Sequence, residues 1–336
     1  MTMPSPGARP ASEVYARALE VALAAEQGGR FSHLWLAEHH FTNYAYSSRP
    51  LLLLAYLAAR TRSIRLGPAI IPVPLHHPLL VAEELATIDV LSGGRLDVGL
   101  GKGYQQYQYD RFGMHKGDDP ARYAEGVDVI AAALRGEIFS YEGTVFSVPP
   151  TRLYPEPLQQ PPPLWLVVNT TVPASVEEAV RRGMNLFTGV GEPISRLTNV
   201  RTAYPTLFSG AEQRLRIGTQ RPVYVAENDA DARMAAEEAR WNVRVSVAMR
   251  YDLSGVEHGV VDANEFPGEP TLDDLLENVF VIGTPEQCIR QLRRIRDGLG
   301  CDYFSASFWF GNLSHGKVLA SMARFEREVL PAFANG

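Results

Sequence analysis

Polar side chains that can do acid–base chemistry follow an apolar segment near the start of the sequence. The segment SHLWLAE is typical of a strand and ends in Glu38, which His39 and His40 follow directly. A histidine suits a general base or a hydrogen-bond donor because its pKa lies near working pH. In the alternative interpretation, Glu38 is a buried, paired acid and the histidines only cap the end of the strand.

A glycine-rich segment, GLGKGY, can bind an anion. Lys102 lies between Gly101 and Gly103, so the backbone can approach an anion closely and the ammonium group can meet it. An ordinary solvated lysine on a glycine-rich loop is the alternative. The segment does not match G-x-G-x-x-G, because Tyr104 stands in the place of the third glycine, and the sequence has no GxxxxGK[ST] motif. A resident nicotinamide domain or a Walker-type nucleotide site is therefore not expected.

A second candidate anion site lies at the start of a helix predicted from about residue 173. Thr170, Thr171 and Ser175 flank this start, where hydroxyls and free backbone N–H groups can hold a phosphate. The same residues are explained equally well as ordinary helix caps.

The sequence predicts no metal site. The candidate ligands occur as adjacent pairs, His39-His40 and His76-His77, and neighbouring residues of a strand point to opposite sides.

Composition limits the partners and the compartment. The formal net charge is −6, the isoelectric point is about 5.8, and no run of Lys or Arg occurs, which argues against nucleic acid and anionic membranes as partners. Cys288 and Cys301 cannot form a disulfide framework and are expected to be free thiols in a reducing compartment. The first residues have no apolar signal core, so a cytoplasmic location is expected.

The elements that position these residues alternate between strands and helices. From Ile64 to Tyr104 the sequence predicts a strand, a loop with PVPLHHP, a helix from Pro78 to Leu91, and a second strand. Both strands are short and apolar on both faces, which is typical of a parallel sheet covered by helices. In such sheets the loops after the strands carry the chemistry.

The same alternation extends along the chain and gives eight predicted helices but only seven strands. We predict one α/β domain over residues 1–336, a (β/α)8 TIM-type barrel whose first strand is short or missing. The family resemblance given below is what places this strand before the first helix. Residues 1–10 are expected to form a mobile arm, residues 136–163 an irregular segment, and residues 192–208 a helix. Residues 250–275 hold seven acidic groups against one Arg and are expected to be an exposed excursion, either a lid or a plain surface loop.

Three segments resemble the bacterial luciferase-like flavin-dependent monooxygenases: WLAEHHFTNY, the stretch from Ile64 to Tyr104, and VIGTPEQCIRQL. The resemblance covers nearly the whole chain, from Glu13 to Pro331. It implies a two-component monooxygenase that receives reduced FMN from a separate NAD(P)H-dependent reductase. Molecular oxygen and the flavin would form a C4a-hydroperoxide that oxygenates an organic substrate. A homodimer is also implied.

The resemblance assigns roles to particular residues. His39 matches the family's catalytic histidine, with Glu38 beside it. Lys102 stands where the family usually has an arginine that contacts the FMN phosphate, and a non-prolyl cis peptide is expected at Ala69-Ile70, beneath the flavin. The cofactor-binding residues implied in this way are Ala69, Ile70, Lys102, Gly103, Tyr104, Arg122, Thr170, Thr171 and Ser175.

The substrate is expected to be lipophilic or aromatic, because aromatic residues cluster in the predicted mouth loops: Phe41, Tyr44, Tyr46, Tyr104, Tyr107, Tyr109, Phe112, Phe308, Trp309 and Phe310. Two alternatives to the FMN-dependent monooxygenase remain open. One is a deazaflavin-dependent oxidoreductase of the same fold. The other is a catalytically silent flavin-binding or dimer-partner protein.

Overall fold

Parallel strands alternate with helices in the computed structural model, which describes residues 10–117, 120–253 and 255–333. The strands of the barrel are β1 (His33–Leu36), β2 (Arg65–Pro68), β3 (Ile71–Pro72), β4 (Val98–Gly101), β7 (Leu164–Val168), β8 (Asn185–Thr188), β9 (Ile217–Val225) and β13 (Tyr303–Ser307). Every pairing among them is parallel. Since β2 and β3 are two parts of one barrel strand, the described part of the chain supplies the seven strands that the sequence predicts.

Helices cover the outside of the sheet, and most of the long ones lie where the sequence predicts them. They are α1 (Ala11–Gly28), α2 (Pro50–Arg60), α3 (Pro78–Ser92), α4 (Gln106–Arg111), α5 (Pro120–Ala133), α6 (Pro173–Arg181), α7 (Val200–Ala203), α8 (Asp229–Tyr251), α9 (Leu272–Asn278), α10 (Pro285–Leu299) and α11 (His315–Arg324). The short helices α4 and α9 were not predicted. Proline stands in the first turn of α2, α3, α6 and α10. Gly93 ends α3 in the left-handed conformation, with φ of 70°.

Two predicted segments differ from the structure. Residues 136–163 contain an antiparallel hairpin of β5 (Phe139–Glu142) and β6 (Ser147–Thr151), because the prolines of β6 sit in an edge strand. The helix predicted over 192–208 is reduced to short turns and α7. Helix α7 begins only after Asn199. The Asn199 side chain caps the helix by accepting hydrogen bonds from the backbone N–H groups of Arg201 and Thr202.

The excursion after α8 is partly ordered. It contains a second hairpin of β10 (Val256–Glu257) and β11 (Val260–Val261), and α9 leads into β12 (Val281–Gly283), which pairs with the end of β9. Asn43 ties the hairpin to the loop after β1. Its N–H donates to the Gly259 carbonyl at 2.7 Å, and its side-chain oxygen accepts from the Val261 N–H at 3.0 Å.

In the described residues, the barrel wall is open between β1 and β13. No strand precedes α1 there, and the predicted arm of residues 1–10 lies outside the described residues except for Pro10. Among the strands described, β1 pairs with β2 and β13 with β9, so their facing edges are unpaired. Between them lies a largely apolar cavity of about 610 Å³. Inside the barrel, the Trp35 indole N–H spans the gap and donates to the Tyr303 hydroxyl at 2.6 Å.

A buried carboxylate organises the opposite, amino-terminal end of the barrel. The carboxylate of Asp97, just before β4, pairs with Arg65 at 2.5 Å and accepts from the Trp165 indole N–H at 2.9 Å. His33 lies 3.5 Å away. Burial alone would raise the pKa of Asp97, but the hydrogen bonds from His33 and Trp165 and the nearby charges outweigh it and hold the pKa below its usual value.

We predict that Asp97→Ala lowers the free energy of unfolding by about 3–5 kcal/mol, because it leaves a partly buried Arg65 without its partner. Glu84→Ala is the matched control. It removes an exposed pair with Arg49 and is expected to cost at most about 1 kcal/mol. Urea unfolding of the three proteins measures both values, and equal losses would contradict the prediction.

The pH dependence of stability has a defined sign. Because the folded-state pKa of Asp97 is lowered, its contribution is present above the ordinary aspartate range near pH 4 and is lost as the pH falls through the folded-state value. The unfolding free energy of Asp97→Asn is therefore expected to fall less steeply in acid than that of the unchanged protein, and parallel curves would argue against this account.

Candidate active site

The loops that follow the barrel strands lie at one rim, because the carboxyl ends of parallel strands share one edge. The loop after β1 carries residues 37–49, the loop after β3 residues 73–77, the loop after β4 residues 102–105, and the loop after β7 residues 169–172. The site residues predicted from the sequence lie on these loops or on the first turns of the helices after them, with two exceptions: the pair at 69–70 lies between β2 and β3, and Arg122 lies on α5, one helix further along the chain than the loop after β4.

The His39 ring is held by neighbours from three parts of the mouth. Gln108 Nε2 donates to His39 Nδ1 at 3.2 Å. The ring meets Tyr44 edge-on at a centroid distance of 4.7 Å and Tyr104 at 6.0 Å. Because Nδ1 accepts a hydrogen bond, the ring proton belongs on Nε2.

The surroundings of His39 shift its pKa away from the value near working pH that its residue type suggests. Burial, the main influence, lowers the pKa of His39 to about 3, although the nearby charge of Glu38 opposes the shift. The ring is therefore neutral at working pH. Its aromatic neighbours are Tyr44 on the same loop and Tyr104 on the loop after β4, and sequence reasoning could not place Tyr104 beside the ring.

Tyr44 joins the mouth loops to helix α8. It hydrogen-bonds to Tyr104 and Ser246, and burial, with the nearby Tyr104, raises the pKa of its hydroxyl well above the usual value. The guanidinium of Arg250 lies 5.2 Å from the centre of the Tyr104 ring. The last turns of α8 therefore form one wall of the mouth.

Glu38 is a buried acid paired at the end of the strand, as one of the two sequence interpretations held. Its Oε1 accepts hydrogen bonds from His40 Nε2 at 2.8 Å and His76 Nε2 at 2.5 Å. Burial would raise the pKa of Glu38, but the two histidines outweigh it and lower the pKa. Its side chain points away from the contacts of His39, so these neighbours in sequence belong to different networks.

The glycine-rich loop after β4 presents an exposed cation. Lys102 has no ion pair with the acids of the described residues, and its Nζ lies 4.7 Å from the centre of the Tyr123 ring. Gly103 has φ of +74°, which a residue with a side chain rarely adopts. Burial and the charge of Glu178, on α6, raise the pKa of Tyr123, so the ring beneath Lys102 also lies near α6.

The turn before α6 is organised by Asn169. Its side-chain oxygen accepts from the Thr171 N–H at 3.0 Å and the Thr171 hydroxyl at 2.8 Å, and its own N–H donates to Ser175 Oγ at 3.0 Å. Thr170 is fully buried, and its hydroxyl has no hydrogen-bond partner within the described ranges. A buried hydroxyl without a hydrogen-bond partner is unfavourable, so this group would gain a partner if a ligand bound at the turn.

The remaining predicted cofactor residues lie in two places. The peptide bond Ala69-Ile70 is cis, which confirms the prediction made from the resemblance. Ile70 packs against β4, where a Cβ on Gly101 would lie 3.0 Å from its side chain. Arg122 points toward the loop after β3 and donates to the Pro74 carbonyl at 2.8 Å, with Phe146 5.4 Å from its guanidinium.

Two residues at the rim could hold a flavin phosphate. An exposed Lys102 without an acidic partner in the described residues and the orphaned hydroxyl of Thr170 are groups that bind phosphate oxygens. The start of α6 offers less than expected, because Pro173 has no N–H and the N–H groups of Val172 and Ser175 already donate to backbone carbonyls. The contacts described for Arg122 do not join it to Lys102 or Thr170.

Several mouth residues were missed from the sequence as site candidates. Gln108 fixes the His39 tautomer, and Ser246 and Arg250 come from α8, more than 130 residues further along the chain. The run of Gln105, Gln106 and Gln108 directly after GKGY was the available signal. Phe308, Trp309 and Phe310, predicted to line the mouth, are buried in the core.

Comparisons with known proteins agree with this geometry. The family model described as luciferase-like monooxygenase matches residues 1–302. The oxygenase component of the flavin-dependent trigonelline monooxygenase of Acinetobacter baylyi is 30% identical, over 96% of this chain and 91% of that protein. The crystal structure of monooxygenase RslO1 from Streptomyces bottropensis is similar, with a TM-score of 0.83, 26% identity, and coverage of 97% of this chain and 95% of that one.

A third similar structure is an F420-dependent secondary alcohol dehydrogenase, with a TM-score of 0.72, 20% identity, and coverage of 96% of this chain and 96% of that one. At that identity the likeness concerns the fold alone. The chain belongs to the luciferase-like monooxygenase family, and its barrel is the family's TIM-type barrel. None of the helices in the described ranges is long and apolar enough to cross a membrane.

We predict that in Gln108→Leu the His39 ring is no longer held in the tautomer with its proton on Nε2, because the substitution removes the donor that makes Nδ1 an acceptor. The imidazole ¹⁵N chemical shifts of His39, measured on histidine-labelled protein, are expected to change from those of the Nε2–H tautomer to those of a mixture of the Nε2–H and Nδ1–H tautomers. Gln106→Leu is the control, since Gln106 contacts Asp110 and the Lys116 N–H instead. An unchanged His39 signal in Gln108→Leu would contradict the prediction.

Proposed function

We propose that this protein is the oxygenase component of a two-component monooxygenase that uses reduced FMN and molecular oxygen. The observation that carries the proposal is the exposed Lys102 and the unpartnered hydroxyl of Thr170, two groups able to bind a phosphate, on the same rim as His39. The 30% identity to the oxygenase component of a flavin-dependent monooxygenase supports it.

The phosphate of FMN is proposed to bind between Lys102 and the turn before α6. Thr170 supplies a hydroxyl, and Thr171 and Ser175 shape the turn through Asn169. Gly103 and Tyr104 form the adjoining wall, and the backbone at Ala69 and Ile70 supports the flavin from below. Arg122 contributes at longer range through its positive charge, since its described contacts are with the loop after β3.

Reduced flavin supplies the electrons that activate oxygen, and one oxygen atom goes to the substrate. The protein's own part is to orient groups and to exclude water. His39, with its proton on Nε2, is proposed as the catalytic hydrogen-bond donor at the mouth. Glu38 is proposed to act on catalysis by holding the loop after β1 through His40 and His76. The identity of the oxygenating intermediate stays a prediction.

The substrate class is proposed from the mouth residues. The side chains around His39 are Tyr44, Tyr104 and, against Tyr44 and α8, Tyr107. A mouth lined by aromatic rings favours a lipophilic or aromatic substrate and keeps water from the reacting atoms. The hairpin of β10 and β11 docks on the Asn43 loop and is proposed to be part of a lid.

The partners are proposed from the relative named as an oxygenase component. Such a component needs reduced flavin from elsewhere, so a separate NAD(P)H-dependent flavin reductase is the proposed partner. A homodimer and a cytoplasmic location stay predictions, as does a single domain over the whole chain.

The first test is anaerobic titration with reduced FMN and, separately, with reduced riboflavin, which lacks the phosphate. Lys102→Met is expected to weaken FMN binding by about 10- to 100-fold, the loss typical of a charged hydrogen bond, and to leave riboflavin binding unchanged. Lys317→Met is the control, because Lys317 pairs with Asp231 on α8. If the unchanged protein binds both flavins equally, the phosphate site is wrong.

Rapid mixing of the reduced complex with oxygen separates the alternatives. We expect a flavin spectrum that passes through a species distinct from reduced and oxidised FMN. Direct reoxidation with release of hydrogen peroxide would favour a silent flavin carrier. Failure to bind FMN, together with binding of F420, would favour the deazaflavin-dependent oxidoreductase that the similar fold of an F420-dependent dehydrogenase allows.

A further inference from the structure

Three potential metal ligands converge at the mouth, beside the contacts of His39 but separate from them. We propose that Glu38, His40 and His76 bind one divalent transition-metal ion, of the kind represented by Zn²⁺ and Co²⁺. This proposal goes beyond the flavin-dependent function and does not depend on it.

The geometry brings together ligands from two strand ends. Glu38 and His40 follow β1, and His76 follows β3, yet one ligand atom from each lies within 4.8 Å of the other two. Both histidine Nε2 atoms approach the same carboxylate oxygen, at 2.8 and 2.5 Å. The argument from sequence treated each histidine pair alone, whereas the structure takes one histidine from each pair.

The donor set selects the class of ion. Two imidazole nitrogens and one carboxylate oxygen suit zinc and its first-row neighbours, whereas magnesium and calcium prefer oxygen ligands. Metal–ligand bonds of about 2.0–2.2 Å place tetrahedral ligand atoms about 3.3–3.6 Å apart. The two histidine nitrogens therefore need to move about 1 Å away from the shared carboxylate oxygen to admit an ion, and three ligands leave at least one position open for water.

The local charge favours a cation. Glu38 is 5% exposed, and its described hydrogen bonds and ion pairs are with the two histidines. When both rings are neutral, the cluster carries one buried negative charge with no Lys or Arg of the described residues paired to it. A divalent ion would compensate this charge more fully than two hydrogen bonds do.

A pair of aromatic rings covers the cluster. Phe112 meets the His40 ring at 5.1 Å, Phe41 meets it at 5.6 Å, and the two phenylalanines lie 5.4 Å apart. Phe41 and Phe112 are both substantially exposed, so they cover His40 only in part and leave a path for an ion from solvent. His76 is partly exposed and offers a second approach. A bound ion would join the loop after β1 to the loop after β3.

The test uses the untagged full-length chain, freed of metal with EDTA and dialysed, without flavin. Titration with CoCl2 is read by visible absorption, and titration with ZnCl2 by calorimetry and by the melting temperature. We expect one ion per chain and a rise in melting temperature with Zn²⁺. His40→Ala and His76→Ala are each expected to weaken binding at least tenfold and to abolish the rise.

His77→Ala is the matched control, because His77 is exposed and packs against Phe146 at 5.7 Å instead of pointing to Glu38. It is expected to bind like the unchanged protein. Circular dichroism establishes that each variant is folded, and the double variant His40→Ala/His76→Ala is compared at saturating metal. Absence of saturable binding, or binding retained by the folded double variant, would overturn the proposal and leave a hydrogen-bonded trio.

Discussion

The parallel direction of the barrel strands is the constraint on which this structure depends. Because every barrel pairing is parallel, the loops after β1, β3, β4 and β7 must all lie at one rim, however far apart they are in sequence. His39, His76, Lys102 and Thr170 are brought to the same rim in this way. At the other end, Asp97 holds Arg65 and Trp165, and so ties β2, β4 and β7 to each other from within.

Consecutive residues of the EHH segment serve different networks. His39 turns to Gln108, Tyr44 and Tyr104, whereas Glu38 and His40 join His76. The segment therefore connects the environment of the proposed flavin site with a separate trio of ionisable groups. A substitution of Glu38 is expected to affect both the surroundings of His39 and the trio of Glu38, His40 and His76. Substitutions of His40 and His76 are therefore the more selective way to separate flavin-dependent activity from the role of the trio.

Most of the architecture could be predicted from the sequence, because helix starts such as Pro78 and ends such as Gly93 are local signals. The count of alternating segments predicted the seven barrel strands of the described residues, whereas the expected place of the eighth strand, before α1, came from the family resemblance. The cis peptide at Ala69-Ile70 was confirmed, but only the family resemblance indicated it. The hairpin of β5 and β6 was missed because prolines in an edge strand look like irregular structure.

The site was predicted less completely, since its details depend on contacts between distant segments. Burial lowers the pKa of His39, whereas the residue type alone indicated a titration near neutral pH. Gln108 holds a histidine 69 positions earlier. The association of His40 with His76 needs two strand ends at one rim. None of these contacts has a local pattern in the sequence.

A crystal structure with bound FMN tests the central claim most directly. The account predicts the phosphate against Lys102 and the turn of Thr170 to Ser175, and the flavin ring over the Ala69-Ile70 peptide, within reach of His39. A flavin bound in the open wall between β1 and β13, or a phosphate that contacts neither Lys102 nor the start of α6, would contradict it.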